Sequence, residues 1–358
     1  MSDEIYRKLC EVMAQRGGRY PGMDLPEFYE LAKELFSPEE AAVAAALPRK
    51  PSTASTIARE VARSEGELAP ILERMADKGL CTSFEQQGGR YYAAVPFVFG
   101  IFGYQLMRGT RTDRDRKVAK LIHSYKQAVD AARGPQTITF PGSRVIPVEK
   151  TIQPGSKVHT YDQVSSYIDR YDPISVTTCF CRHEAKLLNE KDDCGKPDDV
   201  CMQFALGAKF VIERGLGRKV SKGEAREILR RAEEAGLVHA SLNTQEIDFI
   251  CNCCPCHCAI ILQSALSQPK PGRVLFSGFQ PSLNPDLCTG CQTCVERCPA
   301  KALTLFEDLP KVDIDRCFGC GVCATGCPSE AIVLEERPGA PEPPMNRKEL
   351  RQAMESHK

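Results

Sequence analysis

Tryptophan is absent from this chain, and its charges cancel, with 47 Lys plus Arg against 47 Asp plus Glu. Such a balance supplies no global field to draw the protein onto nucleic acid or an anionic membrane. Long apolar runs are also missing. The most apolar stretch, residues 95–107, is punctuated by Gly100 and Gly103 and is too short to span a bilayer. The opening segment MSDEIYRKLC is polar, with no apolar core or cleavage site to suggest a secretory signal. Nucleotide fingerprints are lacking too: Gly215 and Gly217 do not have the G-x-G-x-x-G spacing, and no G-x4-G-K-[ST] loop occurs. Cysteine, by contrast, is abundant, at 19 in 358 residues. Disulfide scaffolds reach that density only in short secreted chains. The expectation is therefore a cytoplasmic, reduced protein from an oxygen-poor setting, long enough for two or three domains.

Eight of the cysteines form an internal duplication. Cys288, Cys291, Cys294 and Cys298-Pro299 recur 29 residues later as Cys317, Cys320, Cys323 and Cys327-Pro328. The copies also match Asp286 with Asp315, Gly290 with Gly319, Ala302 with Ala331 and Leu305 with Leu334. Short x2 spacings let one tight turn point three thiolates at one face of a metal cluster. Zinc also favours C-x2-C pairs, but four ligands per ion explain neither the third cysteine nor the proline.

These motifs resemble the two-cluster bacterial ferredoxins, in which the C-x2-C-x2-C-x3-C-P run holds [4Fe–4S] clusters. The resemblance covers roughly residues 281 to 336 and implies two clusters and electron transfer. It also implies crossed ligation, because the fourth cysteine of each run serves the other cluster in that family. Carried over by position, Cys288, Cys291, Cys294 and Cys327 would hold one cluster, and Cys317, Cys320, Cys323 and Cys298 the other. Gly290, Gly319 and Gly321 would let backbone N–H groups approach the sulfides and tune the potential.

The N-terminal third carries legible helix starts. Ser37 caps a helix with Pro38 at its first position and Glu39 and Glu40 in its first turn, running to about Leu47. Thr53 to Val61 reads as a second short helix. Ser64 with Glu67 makes a capping box for a third, with an apolar stripe of Leu68, Ile71, Leu72, Met75 and Leu80. Residues 80–84 and 90–95 around Gly88-Gly89 read as a hairpin. Together these resemble a winged helix-turn-helix. The third helix carries Glu65, Glu67, Glu73 and Asp77 against Arg74 and Lys78, which argues against DNA and for protein docking. A basic run from Arg108 to Lys120 reads as a solvated helix face or a dock for an acidic partner. Residues 134–155 read as a connector, with a hairpin placing Ile138 and Val145 inward.

Nine further cysteines lie in the middle: Cys179, Cys181, Cys194 and Cys201, then Cys251, Cys253, Cys254, Cys256 and Cys258. Between the groups, Asp198-Asp199 is expected to cap a helix with Val200, Phe204, Ala208, Val211 and Ile212 on its stripe. Cys201 would then sit near a positive helix end, which favours thiolate. Ser221 and Glu224 open another helix, with Ile228, Leu229 and Ala232 inward and Gly236 at its end. Nine cysteines exceed what packing requires, so these residues are expected to bind metal. The preferred reading is a third [4Fe–4S] cluster. Zinc, completed by His183 or His257, is the alternative, and the nine could also be split between sites. For each His alone a hydrogen-bonded structural role is the expectation. Arg182 would offer a charge-assisted donor to a cluster. Residues 177–188 and 249–261 resemble a segment of uncharacterised ferredoxin-domain proteins of anaerobic bacteria, which implies redox work.

The expected architecture is an α+β multidomain protein. A winged-helix-like domain spans residues 1–130, and a cysteine-rich, mainly helical metal-binding domain spans 131–268. A two-cluster ferredoxin domain follows at 269–336, entered through a linker at 269–285, with a mobile tail at 337–358. The expected function is electron relay to or from a ferredoxin or oxidoreductase subunit, without a membrane span and without catalysis. The alternatives are a reductase with a catalytic cluster at the central cysteines, or a redox-sensing winged-helix regulator.

Overall fold

The computed structural model describes residues 2–189 and 191–357, in helices and several small sheets. It divides into two compact units: residues 1–136, 182–193 and 209–218, and residues 137–181, 194–208 and 219–358.

The first unit begins with α1 (Ser2–Arg16), α2 (Pro26–Leu35) and α3 (Pro38–Ala46), followed by β1 (Ser52–Thr53) and α4 (Ala54–Glu60). After these come α5 (Glu65–Asp77), β2 (Cys81–Gln86), β3 (Gly89–Ala94), α6 (Phe102–Leu106) and α7 (Asp113–Arg133). The expected caps are in place: Ser37 and Ser64 close capping boxes with Glu40 and Glu67, and Thr53 accepts from Thr56 N–H. β1, β3 and β2 form a three-stranded sheet in that order. The acids of α5 are largely consumed within the unit. Arg214 meets Glu73 at 2.9 Å and Asp77 at 2.6 Å, and Arg90 meets Glu73 at 3.1 Å. The basic run becomes the start of α7, whose other face buries Val118, Ile122, Tyr125 and Val129. Residues 97–106, the most apolar stretch, are a π turn and α6. Among the described residues no helix is long and apolar enough to cross a membrane.

Lys126 of α7 and Glu184 make a buried ion pair at 2.6 Å. Breaking such a pair strands a charge in low dielectric, at a cost of about 3–5 kcal/mol. Glu184→Ala should therefore lower the urea midpoint strongly, and adding Lys126→Met should recover much of the loss. An unchanged midpoint in the single variant would show that Lys126 finds water instead.

The second unit is built on a six-stranded sheet ordered β4-β8-β9-β6-β5-β7. Its strands are β4 (Ser143–Val145), β5 (Ile174–Thr178), β6 (Asp199–Phe204), β7 (Arg218–Val220), β8 (Val238–Leu242) and β9 (Phe249–Cys253). The helices α8 (Val164–Arg170) and α11 (Lys222–Glu234) pack on its core with Ile174, Val176, Val200, Met202 and Ile250. The chain passes between the units within α9 (Phe180–Leu188) and α10 (Ala205–Glu213).

This sheet corrects three expectations. The centre is not mainly helical. The segment from Asp199 is a strand, because Val200, Met202 and Phe204 are buried at period two and β6 is paired on both sides, with β5 and β9. Cys201 is consequently on a strand and not in the first turn of a helix. The expected hairpin at 134–155 does not form: β4 pairs with the distant β8, burying Val145 while Ile138 stays half-buried. The helix from Ser221 is as expected, with Ile228, Leu229 and Ala232 buried and Gly236 left-handed after it.

Further on lie α12 (Leu262–Leu266), α13 (Pro271–Val274), β10 (Phe279–Leu283), α14 (Thr293–Arg297), β11 (Leu303–Phe306) and β12 (Leu309–Val312). α15 (Val322–Thr325), β13 (Ile332–Glu336) and α16 (Arg347–Ser356) complete the chain. Residues 269–285 are not a free linker, since β10 pairs along its length with β13 and Gly272 N–H donates to Asp315 O. The terminal segment is also held. Gln245 and Glu246 N–H donate to Pro344 and Met345 carbonyls, Arg347 binds Asp248 at 2.6 Å, and Leu350 is buried.

Candidate metal centres

The two cysteine repeats fold into the same backbone. Positive φ recurs at Gly290 and Gly319, at Gln292 and Gly321, and at Lys301 and Glu330. These left-handed residues bend the chain round a centre, so that three thiols of one run face inward. Gly319 admits nothing larger, because an added Cβ would lie 2.0 Å from Phe279 O. The N–H groups of Ala302 and Ala331, again equivalent, donate to Cys298 Sγ at 3.2 Å and Cys327 Sγ at 3.3 Å.

Two cavities result. One, of about 350 Å³, is lined by Cys298, Cys317, Cys320 and Cys323, with Phe318 and Leu334 among its apolar walls. The other, of about 340 Å³, is lined by Cys288, Cys291, Cys294 and Cys327, with Leu283 and Ile332. Each cavity thus takes three thiols from one run and the fourth from the other run. Four soft donors around an apolar void suit an iron–sulfur cube and would leave a single zinc ion loose. Burial pushes the Cys317 thiol up to about 11, and Cys320 and Cys323 further. Thr293 instead lowers Cys291, which lies exposed at the rim. Loading either cavity must therefore release protons.

The central cysteines obey strand periodicity. Met202 opposite Ile250 and Gln203 opposite Phe249 set a register that continues to place Cys201 beside Cys251. Thr177 is opposite Cys201 on the other side, and Cys179, just past a register shift and the end of β5, hydrogen-bonds Cys201. Cys251 and Cys253 share one face, being two apart on β9, while Asn252 points away and donates to Val200 O. Cys181 joins from the first turn of α9 and Cys258 from the loop after β9. The six sulfurs make a closed ring of hydrogen-bonding neighbours, in the order 179, 181, 258, 253, 251, 201 and back to 179. Cys258 and Cys253 Sγ are 3.3 Å apart. By accepting from Cys201 and Cys253, Cys251 is lowered to about 6, and Cys258 is lowered well below the usual thiol range by Cys181 and Cys253.

The other three central cysteines gather elsewhere. Cys194, Cys254, Cys256 and His257 bring their donor atoms within 4.8 Å of one another, a set that fits a metal ion. His257 Nδ1 lies 3.8 Å from Cys254 Sγ. His257, expected from the sequence to complete a zinc site only in the alternative reading, stands with these three cysteines, and the Cys256-His257-Cys258 run is its local signal. His183 does have the structural role, with Nε2 2.8 Å from Thr110 O. Arg182 is buried on α9. Cys10 and Cys81 are buried in the first unit and belong to no cysteine cluster. Cys256 is exposed and opens, with Cys298, onto a cleft of about 620 Å³ also lined by Lys196, Lys301 and Arg316.

Comparison with curated proteins and with solved structures finds no match. The family described as the 4Fe-4S dicluster domain matches residues 287–332, which include all eight repeat cysteines. The C-terminal part of the chain is therefore a ferredoxin-like iron–sulfur module that binds at least one [4Fe–4S] cluster, and the cysteine-rich centre fits a further metal site.

Proposed function

We propose that the protein is an electron relay carrying two [4Fe–4S] clusters and further metal in its centre, exchanging electrons with a partner oxidoreductase or ferredoxin. The observation that carries this reading is the pair of similar cavities, each walled by four cysteines drawn from both repeats. A [4Fe–4S] cluster supplies a one-electron couple at each cavity. The chain supplies rigid ligands: its short turns are fixed by left-handed residues, so little moves when charge changes. Amide donors on Cys298, Cys317 and Cys327 sulfurs favour the more negative, reduced state and raise the potential.

The partner docks at the cavity holding Cys291, which is lined by Leu305 and Pro310 of the β11–β12 hairpin, whose turn exposes Phe306 and Leu309. Exposed apolar groups of that kind mark interaction sites. The helices and three-stranded sheet at residues 37–95 have the order of a winged helix, and we assign them to protein docking because α5 presents no basic face. The Cys194, Cys254, Cys256 and His257 site holds one tetrahedral zinc ion, whose four donors it matches in number and kind. A third cluster is the other option for the centre.

The test is metal analysis of full-length protein purified without oxygen. About eight irons with matching labile sulfide, plus zinc, are expected per chain. Fewer than eight irons in an intact sample would sink the two-cluster reading, and about twelve would replace central zinc with a third cluster.

A further inference from the structure

We infer that the six-cysteine ring is a metal centre of its own, made of two tetrahedral ions that share two thiolates. The inference rests on the reading that the central cysteines bind metal. Its observations are the closed ring of Cys179, Cys181, Cys258, Cys253, Cys251 and Cys201 and the separate gathering of Cys194, Cys254, Cys256 and His257.

Ligand arithmetic decides the nuclearity. One tetrahedral ion takes four thiolates and would strand two buried thiols beside it. Two ions sharing an edge take four each with two in common, which uses all six. Spacing agrees. With metal–sulfur bonds of about 2.3 Å, two thiolates on one tetrahedral ion lie about 3.8 Å apart. The ring thiols are already in contact, with Cys253 and Cys258 at 3.3 Å. A cube of four irons and four sulfides would have to force them apart.

The scaffold is as rigid as a metal site demands. Four of the ligands stand on or immediately after β5, β6 and β9, which are neighbours in the sheet. Ile261 and Leu262 N–H groups bond Cys258 Sγ and fix its position. Six thiolates on two divalent ions leave a net charge of −2, a third of the charge per ligand of separate thiolates. Burial of the ring makes that neutralisation necessary. Filled-shell, redox-inert ions suit the centre best, with zinc the first expectation. Its role is then to pin β5, β6 and β9 together.

The test is zinc-edge X-ray absorption together with metal analysis on the anaerobically purified full chain. About three zinc ions per chain are expected, with a sulfur-dominated shell and a zinc–zinc scattering contribution. Cys256→Ala should lose one zinc and keep the zinc–zinc contribution. Cys253→Ala should abolish that contribution while leaving the irons. If the variant fails to fold, the zinc–zinc contribution in the unmodified protein decides. A single zinc, or two without any metal–metal contribution, would overturn the binuclear centre but keep central metal. Extra iron and sulfide lost on Cys253→Ala would also overturn it. Absence of both zinc and extra iron would overturn the broader reading with it.

Discussion

Cys327→Ala is expected to destroy the cluster held by the first cysteine run, not the second. Cys327 lies in the second repeat but lines the cavity of Cys288, Cys291 and Cys294. Alanine leaves a cube with one iron lacking its thiolate in a site already open at Cys291, so about four of eight irons should be lost. The decisive measurement is a double-variant comparison of iron content and reduced-state paramagnetic signals. Cys327→Ala with Cys291→Ala should lose no more iron than either alone, because both strike one cluster. Cys327→Ala with Cys320→Ala should lose essentially all of it. Ligation within each run predicts the reverse pattern, and observing it would remove the crossed arrangement. Cys298→Ala supplies the mirror experiment, since Cys298 lines the cavity of Cys317, Cys320 and Cys323.

How much of this was legible in the sequence depended on whether the signal was local. The ferredoxin ligands are set by turns a few residues long, so spacing alone conveyed both runs, and equivalent left-handed residues such as Gly290 and Gly319 follow from the same repeat. The helices after Ser37, Thr53 and Ser64 were legible because a capping side chain bonds an N–H three residues ahead. Segment 199–204 misled because Val200 and Phe204 satisfy a helical interval as well as a strand's period. Its pairing partners, β5 and β9, are remote in sequence. Prolines misled at 269–285. Pro281 sits in a two-stranded sheet, where a missing N–H can face outward at no cost to the ladder. The nine central cysteines were legible as a group expected to bind metal, but their division into two gatherings was not. It follows from Cys-x-Cys alternation on strands, which places Cys251 and Cys253 on one face and leaves Cys254 and Cys256 to a second site.

Removing metal from the Cys194, Cys254, Cys256 and His257 site should cost more stability than any single substitution away from metal. That site ties the segment after α9 to the loop after β9, and Cys254 is also part of the sheet's apolar core with Val200, Met202 and Ile250. Apparent binding free energies of structural zinc in small domains are about 10–16 kcal/mol at neutral pH, and they become folding free energy when the empty site does not persist. Acid should reverse this with a definite sign. Thiolates and neutral imidazole bind metal, so protons compete, and the stabilisation is present at neutral pH and lost as pH falls. The measurement is thermal unfolding followed at once by far-ultraviolet circular dichroism and by cluster absorption, for the unmodified chain and for Cys256→Ala, which empties this site and spares the six-cysteine ring. We expect the sheet transition to fall by tens of degrees while the iron content measured before heating is unchanged. His257→Ala, which keeps three thiolates, should give an intermediate melting temperature that added zinc partly restores. A transition unmoved by zinc loss would show that these four side chains gather without metal and that packing around Cys254 alone holds the segment.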